Sequence, residues 1–112
     1  METDGGGIQG DKAARNQALC REVNERIESL ADTAGDLQLL CECADLECTE
    51  TISLSVAEYE HIRSSSVRFP VAVGHVYPEF ETIVEENERY VVVQKIGKAA
   101  EVSGKLDPRS RS

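Results

Sequence analysis

The sequence has no apolar stretch long enough to cross a membrane, since a transmembrane helix needs about 20 such residues. Basic residues are scarce, because 12 Lys and Arg stand against 21 Asp and Glu and give a formal net charge of −9. Nucleic acids and anionic membranes bind clustered basic residues, so this charge disfavours both as partners. The first residues also lack the basic-then-apolar pattern of a signal peptide. We therefore expect a cytoplasmic protein.

The chain is short, and its 112 residues correspond to one domain. A domain of this size buries a modest core and is marginally stable without further help, of which a structural metal is one common form. Cytoplasmic thiols stay reduced. Clustered cysteines in such a chain therefore predict metal ligands or redox groups rather than a disulfide framework.

The pattern of apolar and polar residues predicts one α+β domain with a small, mostly antiparallel sheet. We expect residues 1–10 to be disordered, residues 11–97 to form a single metal-binding domain, and residues 98–112 to form a flexible tail. This division follows from the glycine-rich start and the polar end of the chain.

The N-terminal part of the domain is predicted to be an amphipathic helix. Leu19, Val23, Ile27 and Leu30 recur at spacings of four, four and three residues, which places them on one helical face. By default this face packs onto the protein's own sheet. The alternative is that it packs onto a partner, including a second copy of the chain.

A short second helix is predicted after Ser55, because Ser55 and Glu58 have the spacing of a capping box. Pro70 cannot donate a hydrogen bond and therefore places its strand at an edge or a bulge of the sheet. The two final strands are predicted to form a hairpin. The five predicted strands span residues 37–42, 51–55, 67–73, 80–85 and 89–96.

Three of the four cysteines, Cys41, Cys43 and Cys48, lie in the segment LLCECADLECTE. On a strand, the Cα atoms of Cys41 and Cys43 would be about 6.6 Å apart, which is unsuited to a disulfide. A disulfide from Cys48 remains open. A nucleophilic thiol needs a nearby cation, yet no Lys or Arg occurs between Ile27 and Ile62. A bound metal ion accounts for both the clustering and the acidic surroundings.

Structural zinc takes four Cys or His ligands, so a fourth ligand must join the three cysteines. His75 is predicted to be that ligand, since it lies in a Gly-His-x-x-Pro loop between two extended segments. His61 is expected to face solvent on the second helix. Cys20 is expected to be a buried or half-buried residue of the first helix, because a free cysteine usually behaves as a small apolar residue.

The predicted metal is zinc, and a [2Fe–2S] cluster is the less favoured alternative. The CDGSH iron–sulfur family also uses three Cys and one His and starts from C-x-C. Its histidine follows the last cysteine closely, whereas here Thr-Glu-Thr follows Cys48. The departure from that pattern favours zinc.

Three segments together resemble an uncharacterised family of small bacterial proteins that has a C-E-C-x4-C cluster and a later Gly-His. They are RNQALCREVNERIESL, LCECADLECTETISLSVAEYEHIRSSSVRF and VAVGHVYPEFETIVEENERYVVVQK. The resemblance covers about residues 15–95 and implies a standalone domain in which Cys41, Cys43, Cys48 and His75 occupy the shared positions. It implies no activity or substrate.

The sequence contains no clear catalytic pattern. No pair of carboxylates stands out for acid–base chemistry, and Gly5-Gly6-Gly7 lacks the features of a phosphate-binding loop. We therefore expect a non-enzymatic, zinc-stabilised interaction or regulatory module with an acidic surface and a protein partner, with a homodimer as one form. The alternative is a thiol-based redox sensor that releases its metal on oxidation. An open catalytic zinc would gain support if His75 did not bind.

Overall fold

The structure is a computed structural model and describes residues 6–31, 35–43, 45 and 47–111. Its fold is α+β, as predicted from the sequence. In this part of the chain, no helix combines the length and apolar character that spanning a membrane requires. The elements are α1 (Gly6–Leu30), β1 (Leu37–Leu40), β2 (Thr51–Leu54), α2 (Val56–Arg63), β3 (Arg68–Val71), β4 (Glu81–Glu86), β5 (Val91–Lys95), α3 (Gly97–Lys105) and the 3-10 helix η1 (Pro108–Arg111).

The five strands form two antiparallel sheets rather than the single sheet expected from the sequence. One sheet pairs β1 with β2, and the other has the order β3-β5-β4. The strand β5 is central and buried, because its residues Val91–Val93 are apolar on both faces of the sheet. The strand β3 lies at an edge, in agreement with the prediction from Pro70.

The two sheets meet at residues 41 and 42, just after β1. The N–H of Cys41 donates to the carbonyl oxygen of Glu50 at 3.0 Å and so extends the β1–β2 ladder. The N–H of Glu42 donates to the carbonyl oxygen of Pro70, also at 3.0 Å, and so reaches β3. Successive main-chain groups thus join the sheets at the start of the cysteine-rich segment.

The helix α2 begins with the predicted capping box. The N–H of Glu58 donates to Ser55 Oγ at 3.0 Å, and the N–H of Ser55 donates to Glu58 Oε1 at 2.9 Å. These bonds satisfy two N–H groups that an uncapped helix end would leave unpaired. The helix buries Tyr59 and Ile62 against the core.

The helix α1 exposes most of the apolar face that we predicted to pack onto the sheet. Leu19 is 62% exposed, Val23 46% and Leu30 78%, while Ile27 alone of the four is half-buried against the core. The prediction that this face packs onto the protein's own sheet is therefore wrong for three of the four residues.

The buried face of α1 is polar. Gln17, Arg21 and Asn24 are at most 1% exposed and follow the same helical spacing as the apolar stripe, on the opposite side of the helix. Each of their side chains donates a hydrogen bond to the cysteine-rich segment, which offsets part of their loss of hydration. We call Gln17, Arg21 and Asn24 the inner stripe, and Leu19, Val23 and Leu30 the outer stripe.

Both predicted chain ends differ from the structure. We expected disorder over residues 1–10, yet α1 begins at Gly6; residues 1–5 lie outside the described residues. Extending an existing helix is far easier than starting one, so residues with low helix propensity can continue α1 toward its N-terminus.

The flexible tail predicted for residues 98–112 is instead helical through residue 111, in α3 and η1. Asp107 accepts hydrogen bonds from both terminal nitrogens of the buried Arg63, at 2.6 and 3.3 Å. Arg109 contacts Glu25 on α1 and Glu60 on α2. These long-range ion pairs hold the end of the chain on the domain, and a polar composition alone does not indicate them.

Replacing Asp107 by Asn is expected to lower the free energy of unfolding by about 2 kcal/mol or more, because it leaves the buried Arg63 with Glu25 as its anionic partner. Burial raises the pKa of Asp107, but hydrogen bonds from Arg63 hold it below its ordinary value. The stabilisation is therefore fully present above the ordinary pKa of an aspartate and is lost as the pH falls through the lowered pKa. Urea unfolding measures the change, with the exposed Glu88→Gln as control; equal stabilities would contradict the prediction.

Candidate metal centre

The cysteine-rich segment forms the connection from β1 to β2, and we call residues 41–50 the cysteine loop. The strand β1 ends at Leu40 and not at residue 42 as predicted, so neither Cys41 nor Cys43 lies on a regular strand. Cys41 and Cys43 are buried, whereas Cys48 is half-buried. The loop therefore turns two sulfurs inward and holds the third nearer the surface.

The structure brings together all four residues that the sequence predicted as ligands. The Sγ atoms of Cys41, Cys43 and Cys48 and a ring nitrogen of His75 lie within 4.8 Å of one another. His75 Nδ1 is 3.6 Å from Cys41 Sγ and 3.5 Å from Cys48 Sγ. These residues form a possible site for a metal ion.

Main-chain N–H groups favour the charged form of all three sulfurs. The N–H of Ala72 donates to Cys41 Sγ at 3.1 Å, and the main-chain groups of Asp45 and Glu50 act to lower the pKa of Cys43 and of Cys48, respectively. Such bonds stabilise thiolates. The main chain of the loop and of the residue after β3 therefore offsets part of the cost of negative charge on the sulfurs.

Hydrogen bonding between the thiols favours a single negative charge among them. A hydrogen bond from Cys41 lowers the pKa of Cys43 to about 5, and the same contact raises the pKa of Cys41 well above its ordinary value. Burial raises the pKa of Cys48. Three thiolates can coexist here only if a cation compensates their mutual repulsion.

A tight turn directs His75 toward the sulfurs. The N–H of His75 donates to the carbonyl oxygen of Ala72 at 3.0 Å, and Gly74 has a φ of 88°. A positive φ at the third turn residue alone is typical of a type II turn, which favours glycine there. Gly74 thus sets the direction in which the chain presents His75.

The side chain of Glu42, between two of the cysteines, extends away from the sulfurs toward α1. Arg21 Nε donates to Glu42 Oε1 at 3.0 Å, and Asn24 Nδ2 donates to Glu42 Oε2 at 2.7 Å. Tyr59 also contacts Glu42 Oε2 through its hydroxyl group, at 3.4 Å. Burial raises the pKa of Glu42, while Arg21 and Asn24 favour its charged form. The carboxylate is therefore completely enclosed by hydrogen-bond donors.

The remaining Cys and His residues lie where the sequence predicted. The side chain of His61 is 61% exposed and contacts Glu85 at 2.8 Å. Cys20 is half-buried on α1, and burial raises its pKa to about 11. Neither residue belongs to the cluster of four.

Glu42 and the inner stripe of α1 are not among the site residues predicted from the sequence. Arg21 lies outside the apolar stripe, yet its side chain is only 1% exposed. The available signal was the helical spacing of Gln17, Arg21 and Asn24 together with a carboxylate between two predicted ligands. Such spacing of polar residues is usually typical of an exposed face.

Comparisons with models of protein families, with curated proteins and with solved structures find no match to this chain.

Replacing Gly74 by Ala is expected to lower the free energy of unfolding by about 1–2 kcal/mol, because a side chain disfavours the left-handed backbone that turns the chain to His75. The effect should come from the backbone alone, since an added Cβ atom would meet nothing within 4 Å. The control is Gly35→Ala, also in open space but without a positive φ. Urea unfolding of both variants checks the prediction. A Gly74→Ala protein as stable as the Gly35→Ala protein would contradict it.

Proposed function

We propose that Cys41, Cys43, Cys48 and His75 bind one structural zinc ion. With bond lengths of about 2.3 Å to sulfur and 2.0–2.1 Å to nitrogen, tetrahedral zinc places S and N ligands about 3.6 Å apart. The two short distances from His75 Nδ1, 3.5 and 3.6 Å, agree with this value. The agreement, obtained with the ligand set typical of structural zinc, is the observation that carries the proposal.

A single ion suits these residues better than a [2Fe–2S] cluster. Such a cluster divides its four ligands between two iron atoms, which separates them into two pairs. Here the four ligand atoms are all mutually close, and one histidine nitrogen adjoins two different sulfurs. This compact group supports a mononuclear site.

The proposed role of the zinc is to stabilise the fold. It would tie the cysteine loop to the turn that carries His75, 27 residues beyond Cys48 in the chain. Free energies of zinc binding in zinc-finger peptides are about 10–16 kcal/mol at pH 7 and contribute directly to folding. That amount matters in a domain of this length, whose own core provides modest stability.

The function that follows is that of a non-enzymatic interaction or regulatory module that binds a protein partner. Four protein ligands complete a tetrahedral zinc site, whereas catalytic zinc keeps one position for water or substrate. The chemistry of the module then lies in its surface, which combines a net charge of −9 with the exposed outer stripe of α1. Both features support recognition of another protein.

The purified protein is expected to contain one zinc per chain, measured by elemental analysis, and to lose thermal stability when a strong chelator removes it. Cys43→Ser is expected to abolish stoichiometric zinc binding, because it removes a sulfur ligand. Cys20→Ser is the matched control and should retain one zinc, since Cys20 lies outside the group of four. A metal-free wild type, or a melting temperature unaffected by chelation, would contradict the zinc proposal.

A tagged, zinc-loaded protein is expected to retain a specific partner from an extract of its native cells. The double variant Leu19→Glu, Leu30→Glu should lose that partner while keeping the wild-type melting temperature, because both side chains are mostly exposed. Recovery of no specific protein by the wild type would count against an interaction module. Equal recovery by both proteins would exclude the outer stripe as the contact surface.

A further inference from the structure

Glu42 connects the candidate metal centre to α1. Its two neighbours in the chain, Cys41 and Cys43, belong to the metal-binding group, while its own side chain is completely buried against the inner stripe. The Glu42 carboxylate contacts Arg21 and Asn24 on α1, whereas the sulfurs of the residues on either side of it meet His75 and Cys48. The same short backbone therefore presents sulfur to the candidate metal site and a carboxylate to α1.

The inner stripe also recognises the main chain of this segment. Gln17 Nε2 donates to the carbonyl oxygen of Glu42 at 2.9 Å. Asn24 pairs with both main-chain groups of Leu40, donating to its carbonyl oxygen at 3.0 Å and accepting from its N–H at 2.8 Å. These bonds require residues 40–42 to adopt one particular conformation.

Arg21 makes the connection between α1 and this segment sensitive to that conformation. Its guanidinium group donates to Glu42 and to the carbonyl oxygens of Ser66 and Arg68, and it lies 3.8 Å above the ring of Phe69. If the segment left its place, both charges of the buried pair would lose their partner. Because breaking a buried ion pair is strongly unfavourable, α1 docks stably only when the segment keeps this conformation.

We propose that Glu42 is the positioning residue of the metal site and that it couples zinc binding to the docking of α1. The proposal rests on the zinc site argued above. Zinc holds Cys41 and Cys43 in place and thereby holds Glu42 toward the inner stripe, while docked α1 holds the two cysteines ready for zinc. Because coupling between two binding events is reciprocal, a change on α1 must weaken zinc binding even though α1 supplies no ligand.

The test compares zinc affinities of the full-length wild type and variants by competition with a chromophoric chelator. Glu42→Gln keeps the shape of the side chain but removes the charge and replaces one carboxylate oxygen by an NH2 group, which then faces the donor of either Arg21 or Asn24. We expect it to weaken zinc binding about tenfold or more, within the usual range of coupling between sites. The matched control, Glu47→Gln, removes an equal charge from an exposed residue next to Cys48 and should stay within about twofold of wild type.

Hydrogen exchange of the zinc-loaded proteins gives the second measurement. In Glu42→Gln, the amides of residues 15–30 should exchange faster than in wild type, while those of β5 keep their protection. The visible spectrum of the cobalt-substituted Glu42→Gln protein should still show a tetrahedral site. Faster exchange of α1 then reflects weaker docking and not loss of the metal site.

The outcomes separate the two proposals. If the wild type binds zinc but Glu42→Gln matches it in affinity and in exchange of α1, the coupling is refuted and the zinc site stands. If the wild type binds no zinc, both fall. If Glu42→Gln does not fold, Asn24→Ala replaces it, and an unchanged zinc affinity in that variant refutes the coupling.

Discussion

The ion pair between Arg21 and Glu42 lies where almost no water reaches either side chain. A charge in the interior loses hydration worth several kcal/mol, so it persists only where its partners have fixed positions. Arg21 meets this condition through Glu42 and two main-chain carbonyl groups, those of Ser66 and Arg68. These partners belong to the cysteine loop and to the start of β3 with the residues just before it, so one guanidinium group fixes both segments against α1.

The opposite side of the same loop faces a second electrostatic constraint. Three sulfurs and one imidazole converge in a chain with a large excess of acidic residues. Neighbouring thiolates repel one another, and main-chain groups such as the N–H of Ala72 offset this repulsion only in part. A bound cation would resolve it. The loop thus has one charged contact on each side, with Glu42 paired to Arg21 and the sulfurs suited to a metal.

Features that depend on local signals could be predicted from the sequence. The capping box at Ser55 and the hairpin of β4 and β5 need only neighbouring residues. The position of His75 beside the cysteines could be predicted because His61, the other histidine, falls on the exposed face of a helix. The orientation of α1 could not be predicted, because a periodic pattern locates two opposite faces and the usual rule buries the apolar one. The correct choice depends on Glu42, which is 21 residues from Arg21 in sequence. The ordered C-terminal segment likewise depends on distant ion pairs.

A polar inner stripe gives α1 a different kind of attachment from an apolar one. Apolar contacts tolerate small shifts, whereas hydrogen bonds and buried ion pairs weaken steeply with distance and angle. Replacing a buried ion pair by apolar residues often leaves stability unchanged or increased, so stability alone does not account for this stripe. Its distinctive property is that it accepts one conformation of residues 40–42 and rejects others. Because that conformation also places the sulfurs of Cys41 and Cys43, the geometry of α1 docking and the geometry of the metal centre cannot change independently.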